Sequence, residues 1–175
     1  MKTLLAAAAA VSLLAIAAPA SAGVYGSLGY SKSAYDAPII GNLGDVEFDE
    51  ITGRLGWGAD DQWYGAEAEV SFGLGEETSG VVDYKLTSDL SAFAVAHFDL
   101  TEAFTLFARA GYGVTRIQRR PGQDGSADGP VYGAGAQFNF GEQDGIRLDY
   151  TYHDLDTDLS DSTYKLTVSY VRKFR

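Results

Sequence analysis

The stretch GIRLDYTY, residues Gly145 to Tyr152, poses the question that decides the fold. Successive side chains of an extended strand point to opposite faces, so one face here is large and apolar and the other is polar. The large residues are Ile146, Leu148, Tyr150 and Tyr152, and the polar ones are Arg147, Asp149 and Thr151. In a soluble protein the charged face would meet water. In a small membrane barrel it would line the interior, and the aromatic face would meet lipid.

The amino terminus indicates export from the cytoplasm. Lys2 precedes an apolar run over residues 4–18, and the run ends in PASA, residues 19–22. A run of about 15 residues is shorter than the roughly 20 that a spanning helix needs, and the pattern is typical of a cleavable signal peptide. We therefore divide the chain into a signal peptide, residues 1–22, and one mature domain, residues 23–175.

Composition narrows the classes of structure and function. No later window approaches 18 unbroken apolar residues, so a mature domain that spans a membrane must do so as a closed barrel. The chain has no cysteine, so no disulfide can form. Removing Lys2 from the 13 basic residues leaves 12 against 24 acidic ones, a net charge of −12. This balance argues against nucleic acid as a partner, because affinity for phosphates rests on basic residues.

Alternation with a period of two recurs along the mature domain and predicts eight strands. They are Val24–Lys32, Val46–Trp57, Trp63–Leu74, Lys85–Phe98, Phe104–Ile117, Val131–Phe140, Ile146–His153 and Thr163–Phe174. Short connections alternate with long ones, so every long loop lies at one end, and every short turn lies at the other with both termini. Outer-membrane barrels have this arrangement, whereas a secreted β-sandwich, the alternative, need not.

The fourth predicted strand carries two conflicting patterns. One face holds Phe93, Val95 and His97, and we expect His97 to face lipid. Tyr84 and Leu90 have the opposite parity. A β-bulge, or an extension of the strand beyond the membrane, would reconcile the two.

The charged residues follow the alternation in a nearly balanced way. The inward row holds three acidic and four basic residues: Glu67, Glu69 and Asp149 against Arg54, Arg109, Arg147 and Lys165. We expect the other carboxylates in loops, turns or strand ends. An enclosed, low-dielectric interior requires such balance. The sequence therefore predicts an all-β, eight-stranded antiparallel up-and-down transmembrane barrel, with Arg147 and Asp149 inside and Leu148 facing lipid.

Aromatic residues near the strand ends would form the girdles at the two membrane interfaces. They are Tyr30, Trp57, Trp63, Tyr64, Tyr152, Tyr170 and Phe174. In a β-sandwich the same residues would be ordinary core aromatics.

Several segments resemble the OmpA/OmpX-like outer-membrane barrels. PVYGAGAQFNFGEQDGIRLDYTY, residues 130–152, resembles the hairpin of that family's sixth and seventh strands, and ITGRLGWG (51–58) and FARAGYG (107–113) resemble its strand signatures. LTVSYVRKFR (166–175) resembles the assembly signal of such barrels, although Arg175 follows Phe174 where the aromatic residue is usually last.

The resemblance implies an integral protein of the bacterial outer membrane that is exported through the periplasm. Its expected partners are outer-membrane lipids and lipopolysaccharide, with the barrel-assembly machinery and periplasmic chaperones during biogenesis. We expect a monomer without a cofactor and without the family's peptidoglycan-binding domain.

In that family a glutamate and an arginine form an ion pair that obstructs the lumen. The matching positions are Glu67 and Arg147, but the second lumen glutamate corresponds to Gln137, and the gating lysine falls near Ala94. A switchable gate is therefore not expected. The complete expected lumen network is Glu67, Glu69, Arg109, Gln137, Arg147, Asp149 and Lys165. Because side chains can fill an eight-stranded barrel, we expect a small structural protein with an occluded interior and acidic outer loops, serving envelope integrity or surface interaction. A narrow, low-conductance channel is the alternative.

An enzyme that modifies lipid A is a further alternative, since some small barrels resembling this one cleave or transfer acyl chains. That chemistry needs a nucleophile beside a base, and the chain has 2 histidines. His153 is expected at the outer rim near Ser160 and Ser162, where the sequence does not resemble a deacylase signature. We assign no catalytic residue and expect no enzyme.

Two loop features carry weaker signals. Asp154, Asp156, Asp158 and Asp161 offer oxygen ligands for calcium, but the glycine and closing glutamate of an EF-hand loop are missing. No metal site is assigned, and a solvated acidic loop explains these residues as well. Three arginines at the outer end of the fifth strand suggest contacts with lipopolysaccharide phosphates, with simple solvation as the alternative. They are Arg116, Arg119 and Arg120.

Overall fold

The computed structural model describes residues 23–36, 46–58, 63–75, 77–79, 82–120, 125–157 and 160–174. Nine strands account for nearly all of them. They are β1 (Val24–Asp36), β2 (Val46–Trp57), β3 (Tyr64–Gly73), β4 (Glu77–Ser79), β5 (Val82–Thr101), β6 (Phe104–Arg120), β7 (Gly125–Asn139), β8 (Asp144–Thr157) and β9 (Ser160–Phe174). The described residues include no helix long and apolar enough to cross a membrane. The predicted signal peptide, residues 1–22, lies outside them.

Eight of the strands close into a barrel. Each pairs antiparallel with its neighbours, β3 pairs with β5, and the first and last strands, β1 and β9, pair with each other. The short β4 pairs only with the start of β5. This confirms the predicted eight-stranded antiparallel barrel, and it satisfies backbone hydrogen bonds between strands without leaving a free edge in the wall.

The strand pairing continues beyond the predicted boundaries, mostly at the long-loop end. There β1 runs to Asp36, β6 to Arg120 and β8 to Thr157. The prediction ended each strand where the alternation of apolar residues faded, but backbone pairing does not require an apolar face. The register of β5 and β6 shifts between Leu86 and Ser88. This irregularity does not put the two patterns of the fourth predicted strand on one face, because beyond it Leu90 is exposed outside whereas Phe93 and Val95 are buried inside.

The register fixes the dimensions of the barrel. The partners of Val24, followed around the wall, are Trp57, Ala66, Ala94, Ala110, Tyr132, Tyr152 and Tyr164, and Tyr164 pairs with Ala34. The path returns to β1 with a stagger of ten residues (34 − 24 = 10). With about 3.3 Å per residue and about 4.8 Å between strands, this stagger tilts the strands by about 40° and gives a radius of about 8 Å. The interior is therefore about as wide as the side chains that enter it.

Exposed and buried rows alternate along the strands, with the apolar row outside. On β8 the side chains of Leu148 and Tyr150 are 49% and 47% exposed, while those of Arg147 and Asp149 are each 1% exposed. This distribution is the inverse of a soluble protein. It answers the question posed by GIRLDYTY, and it is the pattern of a barrel whose outer face meets lipid.

Charged residues delimit the apolar outer belt at both ends. At the long-loop end Tyr30 Oη donates to Asp49, and Tyr112 Oη lies 2.5 Å from Asp128 Oδ2. At the short-turn end Tyr170 Oη donates to Asp144. With strands tilted by about 40°, the rows between these carboxylates span about 20–25 Å, the height of the apolar band in outer-membrane barrels.

The residues expected in the aromatic girdles lie near the two edges of this belt. Tyr30, Trp57, Trp63, Tyr64 and Tyr170 are exposed on the outer face, whereas Tyr152 and Phe174 are half-buried.

Candidate functional site: the charged lumen

Arg109 of β6 lies at the centre of an ionic cluster inside the barrel. Its Nη1 is 2.7 Å from Glu69 Oε2 and 3.3 Å from Glu67 Oε2, both on β3. Its Nη2 is 2.8 Å from Asp149 Oδ1 and donates to Thr151 Oγ1 at 2.6 Å, both on β8. One guanidinium thus links opposite walls of the barrel, using several of the donors that its planar fork provides.

Arg54 and Arg147 complete the cluster. Arg54 donates from Nε to Glu69 Oε2 at 2.7 Å and from Nη2 to Asp149 Oδ1 at 2.8 Å. Arg147 binds Glu67 through both terminal nitrogens, with Nη2 at 3.1 Å from Oε2. Three guanidinium groups therefore meet three carboxylates, and the side chains of all six residues are at most 1% exposed.

One side of the lumen is apolar. Phe93, Val95, Phe107 and Val131, on β5, β6 and β7, form a buried cluster. The guanidinium of Arg147 lies 3.6 Å from the ring centre of Phe107, and that of Arg109 lies 4.3 Å from the ring centre of Phe93. These cation–π contacts stabilise the charged face of each arginine on the side away from its carboxylates.

A small recess lies at the short-turn end of the lumen. Its lining comprises Tyr25, His97, Asp99, Thr105, Phe107, Gln137, Val171 and Lys173. Tyr25 Oη donates to Glu67 Oε1 at 2.5 Å and so connects the recess to the ionic cluster. His97 belongs to this inward surface, so the expectation that it faces lipid is wrong. After the irregularity between Leu86 and Ser88, the odd-numbered residues of β5 from Asp89 to His97 point inward.

Gln137, expected within the charged network, lies beside this recess. It is half-buried, and its side chain donates to Asn139 Oδ1 at 2.8 Å. Among the hydrogen bonds of the described residues, Gln137 makes none to the arginines or carboxylates of the cluster. The other six expected members, from Glu67 to Lys165, are mutually connected.

A second group of charges lies at the long-loop end. Lys165 Nζ is 2.7 Å from Glu69 Oε1 and 3.7 Å from Asp89 Oδ1. Glu50 accepts a hydrogen bond from Ser33, and His153 Nδ1 lies 3.7 Å from Asp89 Oδ2. The prediction that all further carboxylates lie in loops, turns or strand ends is therefore wrong for Glu50 and Asp89.

The expected position of His153 at the outer rim is also wrong, because its side chain is buried inside the lumen and is 1% exposed. A signal for Glu50 was available, because Glu50 precedes Arg54, a residue predicted to face inward, by four positions. Residues separated by an even number along a regular strand share a face.

The arrangement around Glu67 differs from the expectation that alternative ion-pair partners are missing. Arg109 provides a second cation for Glu67, and Asp149 Oδ2 lies 3.7 Å from Arg147 Nε. Ala94, the position near the family's gating lysine, is exposed on the outer face. The second cation beside Glu67 in this barrel is therefore Arg109 of β6.

The weaker loop predictions are only partly described. Arg116 is exposed on the outer face, and so is Asp154. The side chains of Arg119, Arg120, Asp156, Asp158 and Asp161 lie outside the described part of the structure.

Gly135 of β7 permits Phe107 to lie flat against the wall. A Cβ atom at Gly135 would come within 2.5 Å of Phe107 Cζ and 2.7 Å of Asp149 Cβ. We expect Gly135→Val to lower the free energy of unfolding by about 1–3 kcal/mol, the usual cost of overpacking, measured by urea unfolding in detergent micelles. Ala134→Val, on the lipid face of the same strand, is the control. Equal effects for both variants would contradict the close packing at Gly135.

An antiparallel barrel with an apolar outer belt, charged rims and a polar, filled lumen is an integral outer-membrane β-barrel protein. The chain belongs to the family of outer membrane proteins defined by the "Outer membrane protein beta-barrel domain", whose model matches residues 3–171. This confirms the family resemblance and the location in the outer membrane. No curated protein matches the sequence significantly.

Solved structures of small surface barrels share the fold. Ail, the attachment invasion locus protein of Yersinia pestis, is 22% identical with a TM-score of 0.61, over 85% of this chain and 98% of that one. Neisserial surface protein A is 14% identical with a TM-score of 0.67, over 87% and 98%. OprG of Pseudomonas aeruginosa is 10% identical with a TM-score of 0.59, over 88% and 97%.

Proposed function

We propose that this protein is a structural barrel of the outer membrane whose interior is occluded by its own ion pairs. The observation that carries the proposal is the cluster of three arginines and three carboxylates. It joins β2, β3, β6 and β8 across the lumen, and all six side chains are at most 1% exposed. Such a protein contributes to envelope integrity as a structural component of the outer membrane.

The dimensions support occlusion. A barrel of about 8 Å radius, measured to the backbone, leaves room for little more than the inward side chains themselves. Arg54, Arg109 and Arg147 each contact groups on another strand, so none can leave the lumen without exposing a buried partner charge. The cost of leaving such a charge unpaired favours the closed arrangement.

Planar-bilayer recording tests the occlusion. The purified protein, inserted into a bilayer, should give no steady conductance of the size that general porins produce. The control is a mock purification from cells that lack the protein, inserted under the same conditions. Steady conductance of porin size, absent from the mock sample, would contradict occlusion, whereas brief and small openings would favour the alternative of a narrow channel.

A role in surface interaction is the second candidate. Strands β5 and β6 remain paired up to Asp83 and Arg120, beyond the apolar belt, and so extend the sheet toward the outside of the cell. The Ail structure contains the heparin analogue sucrose octasulfate. The net charge of −11 in the present chain does not favour the same kind of polyanion.

Lipopolysaccharide is the outer partner that we propose, together with the assembly machinery and periplasmic chaperones during biogenesis. Arg116 is exposed on the outer face at the long-loop end of β6, where lipid A phosphates would lie. We expect Arg116→Glu to reduce lipopolysaccharide co-purifying with the barrel by a few-fold at low salt, measured by phosphate or sugar assay. Arg172→Glu, at the opposite rim, is the control. Unchanged lipopolysaccharide in Arg116→Glu would contradict the contact.

Catalysis on lipid A is not part of the proposal. A base that acts on acyl chains must reach the lipid face, whereas His97 lines the inner recess and His153 is 1% exposed beside Asp89. Lipid A from cells with and without the protein should have the same mass spectrum.

A further inference from the structure

One residue from each barrel strand contributes to a layer at the long-loop end of the lumen, here called the outer lumen layer. Its members are Ser33, Glu50, Ser71, Asp89, Thr115, Val131, His153 and Lys165, and each is at most 3% exposed. Direct register pairs connect Ser33 with Lys165, Ser71 with Asp89, Asp89 with Thr115, and Val131 with His153. The layer thus contains two carboxylates, one ammonium group and one imidazole.

The charges of this layer do not balance. Deeper in the lumen, Arg54, Arg109 and Arg147 offset Glu67, Glu69 and Asp149. The outer lumen layer then sets Lys165 against both Glu50 and Asp89, and Lys165 Nζ lies 3.7 Å from Asp89 while also binding Glu69 at 2.7 Å. Among the buried residues that the structure describes, five carboxylates face four permanent cations. A surplus negative charge in a low-dielectric interior is costly unless a positive charge joins it.

Within the described part of the structure, two buried polar atoms of the layer lack a hydrogen-bond partner. They are Glu50 Oε2 and His153 Nδ1. His153 Nδ1 is directed toward Asp89, with 3.7 Å between it and Oδ2. Hydroxyl groups occupy other positions on the carboxylates, since Ser33 donates to Glu50, and Thr115 donates to Asp89 Oδ2 at 2.9 Å. A carboxylate oxygen and an imidazole nitrogen that both lack partners are groups suited to accept a positive charge.

We propose that the outer lumen layer holds one additional proton, carried by the Glu50 carboxylate in the layer that also contains Asp89 and His153. The described residues include no group of three or more histidines, aspartates and glutamates arranged to hold a metal ion. A proton needs no such group, so we identify the additional positive charge as a proton. The site does not depend on the lumen being closed to ions, so it can be tested apart from the occluded function.

The surroundings restrict where the charge enters. Lys165, on β9, repels a positive charge. Deeper in the lumen, Arg109 also repels a positive charge, whereas Glu69 attracts one. Ser33, Ser71, Thr115 and Val131 carry no charge. We therefore assign the proton to Glu50 Oε2, the buried carboxylate oxygen of the layer that lacks a hydrogen-bond partner.

The test measures unfolding of the full barrel in detergent micelles by urea, between pH 5 and 8, at low salt and with added sodium or potassium chloride. The folded barrel retains a proton that the unfolded chain has released, so stability falls as pH rises. The unfolding constant should rise by up to about tenfold per pH unit for one linked proton. Stability that instead rises with sodium or potassium chloride and depends little on pH would overturn the proposal.

Glu50→Gln removes the surplus charge and should abolish the fall in stability with rising pH. Glu47→Gln, an exposed outer carboxylate on the same strand, is the control and should retain it. An unchanged dependence in Glu50→Gln would overturn the proposal. Should Glu50→Gln not fold, nuclear magnetic resonance of the wild-type barrel decides. Titration of the Glu50 carboxyl signal between pH 5 and 8 supports the site, and invariance of that signal over this range in its deprotonated state overturns it.

Discussion

Replacing Arg109 with methionine should lower the free energy of unfolding by about 3–5 kcal/mol, the range for removing one partner of a buried ion pair. Arg109 is within 3.3 Å of Glu67 and nearer still to Glu69 and Asp149. Methionine retains much of the side-chain volume but none of the donors. The three carboxylates of the cluster then face only two guanidinium groups, those of Arg54 and Arg147, so one negative charge of the cluster is left uncompensated.

Urea unfolding in micelles, followed by gel mobility without boiling, measures this loss. Arg172→Met is the matched control, because Arg172 makes a half-exposed ion pair with Asp144 at 3.3 Å, and exposed pairs contribute little. A charge-balanced double variant, Arg109→Met with Asp149→Asn, should regain part of the stability. If Arg109→Met and Arg172→Met were equally stable, the central cluster would not have the structural role described above.

Introducing arginine at Leu148 should destabilise the barrel by about 2–4 kcal/mol in a lipid bilayer, the cost of a cation on the lipid face near the membrane midplane. Leu148 is 49% exposed on the outer face of β8. On that face it lies between Asp144 and Asp154, well away from both rims. Its side chain would have to extend along the strand to reach water.

Depth provides the control for this prediction. Asp154→Arg introduces the same residue on the same face of the same strand, at the long-loop rim, where the cost falls to about 0–1 kcal/mol. Reversible unfolding from lipid vesicles compares the two variants. Equal stabilities for Leu148→Arg and Asp154→Arg would show that the outer face of β8 does not meet hydrocarbon.

Sequence reasoning succeeded where the two faces of a strand differ strongly. In β8, Leu148 and Tyr150 alternate with Arg147 and Asp149. In a closed barrel this alternation permits only one orientation of the strand, because a shift of one residue would put both charges in lipid. The same contrast predicted the inward position of Lys165, whereas the fourth predicted strand, with its two conflicting patterns, lacked it.

Sequence reasoning failed where a feature depends on the pairing with a neighbouring strand. The irregularity between Leu86 and Ser88 is a property of the pairing of β5 with β6, and it decides that Asp89 and His97 point inward. Partner choice inside the lumen has the same origin. Glu67 contacts Arg109 and Arg147 because the ten-residue stagger brings these residues of β3, β6 and β8 to the same height in the barrel. No local sequence pattern encodes that stagger.

The pairing of β1 with β9 has a consequence for biogenesis. Tyr30 pairs with Val168, so the contact that completes the wall joins residues 138 positions apart (168 − 30 = 138). Until the carboxyl-terminal strand arrives, β1 presents unsatisfied amide and carbonyl groups that hydrocarbon cannot tolerate. Synthesis must therefore be complete before the barrel can finish inserting. Throughout that interval, periplasmic chaperones must keep the polypeptide from aggregating.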